Sequence, residues 1–327
     1  MIVSGALAAA GACSGDDPAV VDAVGDAVLL TVAGPRVIAH SLRAGRGQQV
    51  IVDDLDEGDE VPGAARGVCV IPDGSRRFLV AERGRPDGGP TGWSLYRLEG
   101  DGVGRFSAEL VHRLVGAGGA PGSVPTGCAF LGDGRLLTAT HAGGGVPGGL
   151  TVWFPPFDVA PVRRCAVDGT VVAPQAVHVG RADAVFVASS AGPTAGVVRY
   201  SGTFPTGDDD GCGDPLTPDL FLPPDEDLPA ADALAPAPDG GLYVASALAG
   251  RVVQYDRLGR VIRTVLQPEA GGRPLALEPV PGGLAFADGA TGSVRLIAFR
   301  SEAPQAPVVM IDGLEEPAGL AVLVIAA

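Results

Sequence analysis

Four side chains suited to acid–base or metal chemistry stand at the ends of short apolar runs in this chain. Glu82 ends the run RFLVAE, Asp288 ends GLAFAD, Asp232 precedes ALAP, and His141 follows LLTAT. Carboxylate oxygens are the ligands that Ca²⁺ prefers, and a bound cation can polarise a carbonyl group and activate water. All four are therefore candidate catalytic residues, and Glu82, Asp232 and Asp288 are candidate metal ligands.

Other polar residues occupy matching positions and are candidates for binding a ligand. Arg66, Thr126 and Gln175 stand at the starts of apolar runs, and Arg83 directly follows Glu82. The glycine-rich segments 84–92 and 142–149 come next after Arg83 and His141. Such loops let the backbone approach a ligand closely. We therefore expect these four residues to contact an unknown protein or small molecule.

These residues recur at fixed places because the chain is built from repeated units of four short strands. Each unit has runs rich in Val, Leu and Tyr, separated by Gly, Asp and Pro turns. This pattern is typical of an antiparallel meander. Five complete units are present: Ala65–Val115, Pro125–Gly169, Pro174–Pro224, Asp232–Pro268 and Pro274–Gly313.

A sixth unit is divided between the two ends of the chain. Val28–Ala33, Val37–Leu42 and Gln48–Asp53 match the second, third and fourth strands of a unit, and Pro317–Val322 matches the missing first strand. Pairing of the two ends would close a ring and leave no unit with an unpaired inner edge. The sequence therefore predicts an all-β fold, a six-bladed β-propeller over residues 27–327 whose first blade is closed by the C-terminal strand.

This architecture places the candidate residues at one end of a central channel. In an antiparallel blade, the start of the first strand and the end of the second strand lie at the same end. Arg66, Thr126, Gln175 and Asp232 are first-strand starts, whereas Glu82, Asp288 and the residue before His141 are second-strand ends. We call this end of the channel the channel mouth, and we expect the functional site there.

The unit pattern, Pro-x-Gly in the first strand, an Asp-Gly turn and x-Val-Ala-x in the second strand, resembles the NHL-repeat and SMP-30/gluconolactonase group of six-bladed propellers. The resemblance covers residues 28–327 and implies the fold more strongly than an activity. In the lactonases, a glutamate, two asparagines and an aspartate bind a divalent cation at the channel mouth. This chain contains no asparagine. Glu82 and Asp288 also occupy the place where NHL-like units often put an aspartate that binds a turn.

The resemblance leaves several functions open. The first is a binding module for a ligand or a protein, with its binding face at the channel mouth. The alternative is a metal-dependent, lactonase-like hydrolase, with Ca²⁺ as the metal to test. A quinone-dependent sugar dehydrogenase is a more distant match, supported by His141 together with Arg66 and Arg83. The other histidines, His40, His112 and His178, are assigned to structure because of their places within strands.

The start of the chain has the features of an export signal. Ile2–Ala12 is apolar and rich in small residues, and it is followed by Cys13 and a polar segment. This resembles a bacterial lipoprotein signal, in which a lipid is attached to the cysteine. We expect a signal segment at 1–13, a linker at 14–26, and a lipid anchor on Cys13 as the contact with the membrane. The alternatives are an ordinary cleaved signal and a plain flexible terminus. The location would be the cell envelope, periplasm or exterior.

The four remaining cysteines suggest disulfides in an exported chain. Cys165 lies in an outer strand and Cys212 in the acidic loop of the next unit, so we predict that they are bonded. Cys69 and Cys128 fall on the innermost strands of neighbouring units, at positions of opposite parity. They point either at each other or apart, as a second disulfide or as two buried thiols.

Composition limits the partners. The formal net charge is −15 and the chain has no lysine, so phosphate backbones would be repelled and we expect no nucleic-acid partner. Within the acidic run DDDGCGD, Asp208 and Asp210 are either solvated charges or ligands of a structural Ca²⁺. We expect the propeller to be a monomer.

Overall fold

The computed structural model describes residues 27–42, 48–53, 67–82, 92–100, 105–115, 124–142, 148–159, 162–206, 212, 216–268, 271–300 and 303–325. Within them, the chain forms six antiparallel sheets around a central axis, with one 3-10 turn at Arg181–Asp183. The predicted six-bladed β-propeller is thus confirmed. The predictions for Cys13, Arg66, Arg83, Asp208 and Asp210, and for segments 1–13 and 14–26, concern residues outside the described ranges.

The first three blades contain twelve strands. The first blade has the order β25-β1-β2-β3, and the second and third blades are β4–β7 and β8–β11. Their bounds are β1 Ala27–Ala33, β2 Arg36–Ser41, β3 Gln48–Val52, β4 Val68–Val70, β5 Arg77–Glu82, β6 Gly92–Gly100, β7 Phe106–Val115, β8 Val124–Phe130, β9 Leu136–His141, β10 Gly149–Trp153, β11 Arg164–Asp168 and β25 Pro317–Val324.

The fourth, fifth and sixth blades follow the same order. They are β12–β15, β16–β19, and β20–β22 with β24, the short β23 being an extra edge piece. Their bounds are β12 Pro174–Val179, β13 Val185–Ser189, β14 Gly196–Tyr200, β15 Pro218–Leu222, β16 Ala233–Pro236, β17 Leu242–Ser246, β18 Arg251–Tyr255, β19 Val261–Leu266, β20 Pro274–Val280, β21 Gly283–Asp288, β22 Ser293–Arg300, β23 Ala303–Pro304 and β24 Val308–Ile311.

The turns form where the sequence places Asp and Gly. Between β18 and β19, the Asp256 carboxylate accepts hydrogen bonds from the backbone N–H groups of Leu258 and Arg260 at 2.8 and 2.9 Å. Gly259 completes this turn with φ of +79°, which a residue with a Cβ rarely adopts. Local chemistry of this kind specifies where each strand stops.

The ring closes as predicted, because the last strand pairs with the first. β25 runs antiparallel to β1 from Ala27 opposite Val324 to Ala33 opposite Pro317, with one irregularity beside Ala33. All seven residues of β1 are buried. The C-terminal strand therefore supplies the inner strand of the first blade.

Within the described residues, the hydrophobic core is divided into six clusters, and each cluster is shared by two neighbouring blades. Large third-strand rings fill several of these interfaces: Tyr96 packs toward the first blade, Trp153 toward the second and Tyr200 toward the third. His40 takes the equivalent place in the first blade, where burial lowers the pKa of its imidazole. The blades are thus held by apolar contact around the whole ring.

Two disulfides connect neighbouring blades. Cys165 on β11 is bonded to Cys212, with a Cα–Cα distance of 5.3 Å, which confirms the predicted pair. Cys69 on β4 is bonded to Cys128 on β8, with a Cα–Cα distance of 6.0 Å, so these two cysteines face each other. Within the described residues, no helix is long and apolar enough to cross a membrane.

Removal of either disulfide is expected to destabilise the propeller. The bonded residues are 59 positions apart in the Cys69–Cys128 pair and 47 in the Cys165–Cys212 pair. Loops of these lengths give a stabilisation of about 2–4 kcal/mol each. We therefore expect Cys69→Ala/Cys128→Ala and Cys165→Ala/Cys212→Ala to lower the free energy of unfolding by similar amounts in urea titrations. A variant lacking all four thiols should show no further effect of reductant. Unchanged stability in both double variants would contradict this expectation.

Candidate functional site

A channel runs along the propeller axis and is lined by the inner strands of all six blades. It encloses a cavity of about 330 Å³. Of the residues predicted at the channel mouth, Thr126, Gln175 and Asp232 line this cavity. Glu82, His141 and Asp288 are not among its lining residues. The structure therefore separates the predicted set into channel residues and residues directed elsewhere.

Glu82 extends across its own blade, away from the channel. It is only 4% exposed. Its Oε1 accepts a hydrogen bond from the Tyr96 hydroxyl at 3.3 Å, and its Oε2 lies 3.4 Å from Nη1 of Arg113 on the outermost strand. The contacts of this carboxylate thus join the second, third and fourth strands of the second blade.

Asp288 is fully buried, and all its described contacts lie within the sixth blade. Its Oδ1 accepts from the N–H groups of Arg273 and Ala290, and its Oδ2 accepts from the Thr291 hydroxyl and from Arg295 Nη1, at distances of 2.8 to 3.1 Å. Burial alone would raise the pKa of Asp288, but these four donors outweigh burial and hold the pKa below its usual value. Asp288 therefore fixes the turn between β21 and β22.

Asp232 and Gln175 make similar hydrogen bonds between strand ends in neighbouring blades. Asp232 precedes β16, and its Oδ2 accepts from the N–H of Ala247, just beyond the end of β17, at 2.8 Å. Gln175 on β12 donates through Nε2 to the Ser190 hydroxyl at 2.8 Å. In each case, a polar side chain connects the start of the first strand with the end of the second.

Thr126 and His141 complete the described part of the mouth. The buried Thr126 hydroxyl donates to the Pro174 carbonyl at 2.7 Å, which connects the third blade with the fourth. Nδ1 of His141 lies 2.8 Å from the Ala142 carbonyl. When Nδ1 donates in this contact, Nε2 keeps its lone pair and can accept a hydrogen bond from a ligand.

The candidate metal ligands are not brought together. Among the described residues, no group of three or more His, Cys, Asp or Glu side chains is arranged to hold a metal ion. Glu82, Asp232 and Asp288 sit at equivalent ends of their blades, as predicted, but each has at least one carboxylate oxygen bound to a partner in its own blade. Equivalent positions at the ends of strands thus do not bring these three carboxylates together at one site.

Two titratable residues outside the predicted site also line the cavity. They are His178, which the sequence assigns to structure, and Glu278. Each interrupts an otherwise apolar inner strand, in PQAVHV and PLALEPV. A titratable residue at a position that other units fill with alanine or cysteine was the signal that could have identified them.

Comparison with known proteins supports the architecture alone. No protein-family model matches the chain, and no curated protein matches it. Among solved structures, a chain from a nidogen/laminin complex is similar with a TM-score of 0.61 at 12% identity, over 92% of this chain and 100% of that one. A protein of unknown function from Bacteroides caccae gives 0.60 at 14% identity, over 91% and 99%. The periplasmic gluconolactonase of Pseudomonas aeruginosa gives 0.57 at 16% identity, over 92% and 99%.

Asp288→Asn is expected to destabilise the fold by about 3 kcal/mol, because it leaves buried donors facing an amide. The folded-state pKa is depressed, so the stabilisation from Asp288 is present above pH about 4 and is lost as the pH falls through the folded pKa. Urea unfolding at pH 7 and pH 3 should show the difference from wild type shrinking in acid. The exposed Asp312, changed to Asn, is the control. Equal losses in the two variants would contradict a structural function for Asp288.

Proposed function

We propose that this chain is an exported binding propeller that takes a ligand or a protein at the channel mouth. The observation that carries the proposal is the engagement of the mouth carboxylates. Asp288 and Glu82 are held by donors of their own blades, and Asp232 by the N–H of Ala247. Groups fixed in this way build a rigid rim and present little free acid–base chemistry.

An exposed apolar side chain beside the rim also supports binding. Leu248, in the loop between β17 and β18 at the mouth, is 79% exposed. Thr126, Gln175 and Asp232 supply polar groups to the lining of the channel, and Asp232 accepts a hydrogen bond from Ala247, the neighbour of Leu248. An apolar contact bordered by polar groups is the usual composition of a recognition surface. Arg66 and Arg83, outside the described residues, would add guanidinium groups to the same face.

Location outside the cytoplasm is the second part of the proposal. Two disulfides connect the blades, and disulfides persist in oxidising compartments. A periplasmic gluconolactonase shares the fold. A lipid on Cys13, followed by the linker 14–26, would hold the propeller at a membrane surface as a monomer.

A lactonase-like hydrolase is the second candidate function, favoured by the shared fold with that gluconolactonase. It would need a cation at the mouth to polarise a lactone carbonyl and activate water. The carboxylates of Glu82 and Asp288 would have to leave Arg113 and Arg295 to bind it. The present geometry of these residues does not fit such a group, so no catalytic step is derived through it.

Photo-crosslinking tests the binding face. A benzoyl-phenylalanine at position 248 should form adducts in cells that export the protein, because it stands at the mouth. The same residue at position 258 is the matched control: Leu258 is also on the fifth blade and 67% exposed, but it lies in a turn at the opposite end. Adducts from both positions, or from neither, would contradict the proposed face.

Hydrolysis of δ-gluconolactone separates the two candidate functions. We expect the purified propeller to show no turnover above the uncatalysed rate after treatment with EDTA and addition of Ca²⁺, Mg²⁺, Mn²⁺ or Zn²⁺. Metal-dependent turnover that is lost in Glu82→Gln, and retained in the surface variant Glu109→Gln, would establish the hydrolase in place of the binding module.

Cys13→Ser tests the anchor. The variant should lose incorporation of a fatty-acid analogue and should move from the membrane fraction to the soluble fraction. Cys69 and Cys128 provide an internal control, since both are in a disulfide and should not be acylated. Membrane association that survives the substitution would contradict lipidation at Cys13.

A further inference from the structure

At one register position of the inner strands, every second blade has a residue with a reactive or titratable side chain, and the three residues differ in type. Cys69, His178 and Glu278 pair with Leu79, Phe186 and Ala285, each of which lies three residues before the end of its second strand. They therefore occupy the same register position on the second, fourth and sixth blades. The intervening blades have alanines there. Ala235 and Ala321 pair three residues before the ends of β17 and β1, and Ala129 pairs with Leu137, three residues before Thr140.

The three groups face the next blade, where two of them have a partner among the described residues. Cys69 is bonded to Cys128 of the third blade. Glu278 accepts a hydrogen bond through Oε1 from the N–H of Val322, on the closing strand of the first blade, at 3.1 Å. The position equivalent to Val322 in the fifth blade is Pro236, which has no N–H to donate to His178.

His178 and Glu278 both retain hydrogen-bonding capacity toward the cavity they line. The described contact of the His178 ring is stacking on Phe186, with centroids 6.4 Å apart. Glu278 uses one oxygen for Val322, and the carboxylate has a second oxygen with its own lone pairs. The channel thus presents a carboxyl oxygen and an imidazole at one level.

The described channel lining places no guanidinium or ammonium group beside Glu278. No arginine is among the described residues that line the cavity, and the chain has no lysine. Around Glu278, β25 and β16 carry no titratable side chain, Asp288 lies at the far end of β21 among its own donors, and Tyr243 of β17 stacks on Phe299. An ionised Glu278 would therefore lack a counter-charge from the described protein.

We infer that the channel binds a small organic cation with a primary ammonium group, which pairs with Glu278 and donates to His178. The inference goes beyond the proposed function, because it concerns the interior of the channel and names a ligand class. A cavity of about 330 Å³ is at the lower end of ligand pockets. Leu275, Leu320 and Val322 offer apolar contacts for the alkyl part. The absence of three convergent ligands among the described residues favours an ammonium compound over a metal ion.

The pH dependence of binding follows from the two titratable groups. Burial raises the pKa of Glu278 to about 8, against a smaller opposing effect of the Val322 N–H, and burial lowers the pKa of His178 to about 4. His178 is therefore neutral and can accept a hydrogen bond at any pH above that value. Below pH 8 the ligand must displace the proton of Glu278, so the apparent affinity falls by about tenfold per pH unit.

Calorimetric titration with n-butylamine and 1,4-diaminobutane tests this inference. Wild-type protein should bind about a hundredfold more tightly at pH 9 than at pH 6, since two pH units separate pH 6 from the pKa. Glu278→Gln keeps an oxygen for the Val322 N–H but cannot ionise, so binding and its pH dependence should both disappear. Glu109→Gln removes a charge from an exposed outer-strand site and should behave as wild type.

The thermal midpoint shows whether Glu278→Gln is folded, and it provides a second readout. The folded-state pKa of Glu278 is above the unfolded value, so its ionisation destabilises the wild type as the pH rises from about 4.5 to about 8. The variant should therefore have the higher midpoint at pH 9.

Amine binding that persists in Glu278→Gln, that is equal at pH 6 and pH 9, or that is absent from wild type would overturn the inference. Binding of Zn²⁺ or Ca²⁺ that needs Glu278, without amine binding, would also overturn it. Crosslinking from position 248 does not depend on these results.

Discussion

Closure of the ring is the constraint on which the rest of the structure depends. β25 supplies the inner strand of a blade whose other strands come from the start of the chain, so both ends of the described propeller are needed to complete one sheet. Closure also determines how closely the inner strands approach. A Cβ on Gly127 would lie 2.7 Å from the Ala176 Cα, and one on Gly67 would lie 2.5 Å from the Thr126 carbonyl oxygen. Glycine at this level of the second and third blades is thus a requirement of the ring.

The same constraint explains what the polar residues at the channel mouth do. Each blade must join the start of its first strand to the end of its second in a crowded region, and different blades solve this with different groups. Asp232 stands at the start of a first strand and accepts a hydrogen bond from the Ala247 N–H beyond the second strand. Asp288 ends a second strand and accepts one from the Arg273 N–H before the first strand. Because a buried carboxylate is stable only with its donors in place, the fully buried Asp288 resists recruitment as a free base or metal ligand.

The fold was predictable because it is repeated: five units with the same turn chemistry, and one divided unit, leave little choice of architecture. The Cys165–Cys212 bond was predictable from peripheral positions in adjacent units. The orientation of Glu82 was not, since strand pairing gives its end of the blade but not its contact with Tyr96 and Arg113. His178 was visible in the sequence but was assigned to structure, because an isolated histidine in an apolar strand usually packs in a core.

Cys69, Glu278 and His178 show how one position can serve structure or binding. The Cys69 thiol is bonded covalently to Cys128, so it has no capacity left for a ligand. One of the two carboxylate oxygens of Glu278 accepts a hydrogen bond from the Val322 N–H. Pro236 removes the backbone donor that His178 would otherwise face. A side chain at this register position stabilises the fold when it bonds to the next blade. It can bind a ligand when its polar atoms face the channel instead. The described propeller has residues of both kinds. Cys69 and Glu278 bond to the neighbouring blades, whereas the imidazole of His178, at the interface between the fourth and fifth blades, faces the cavity.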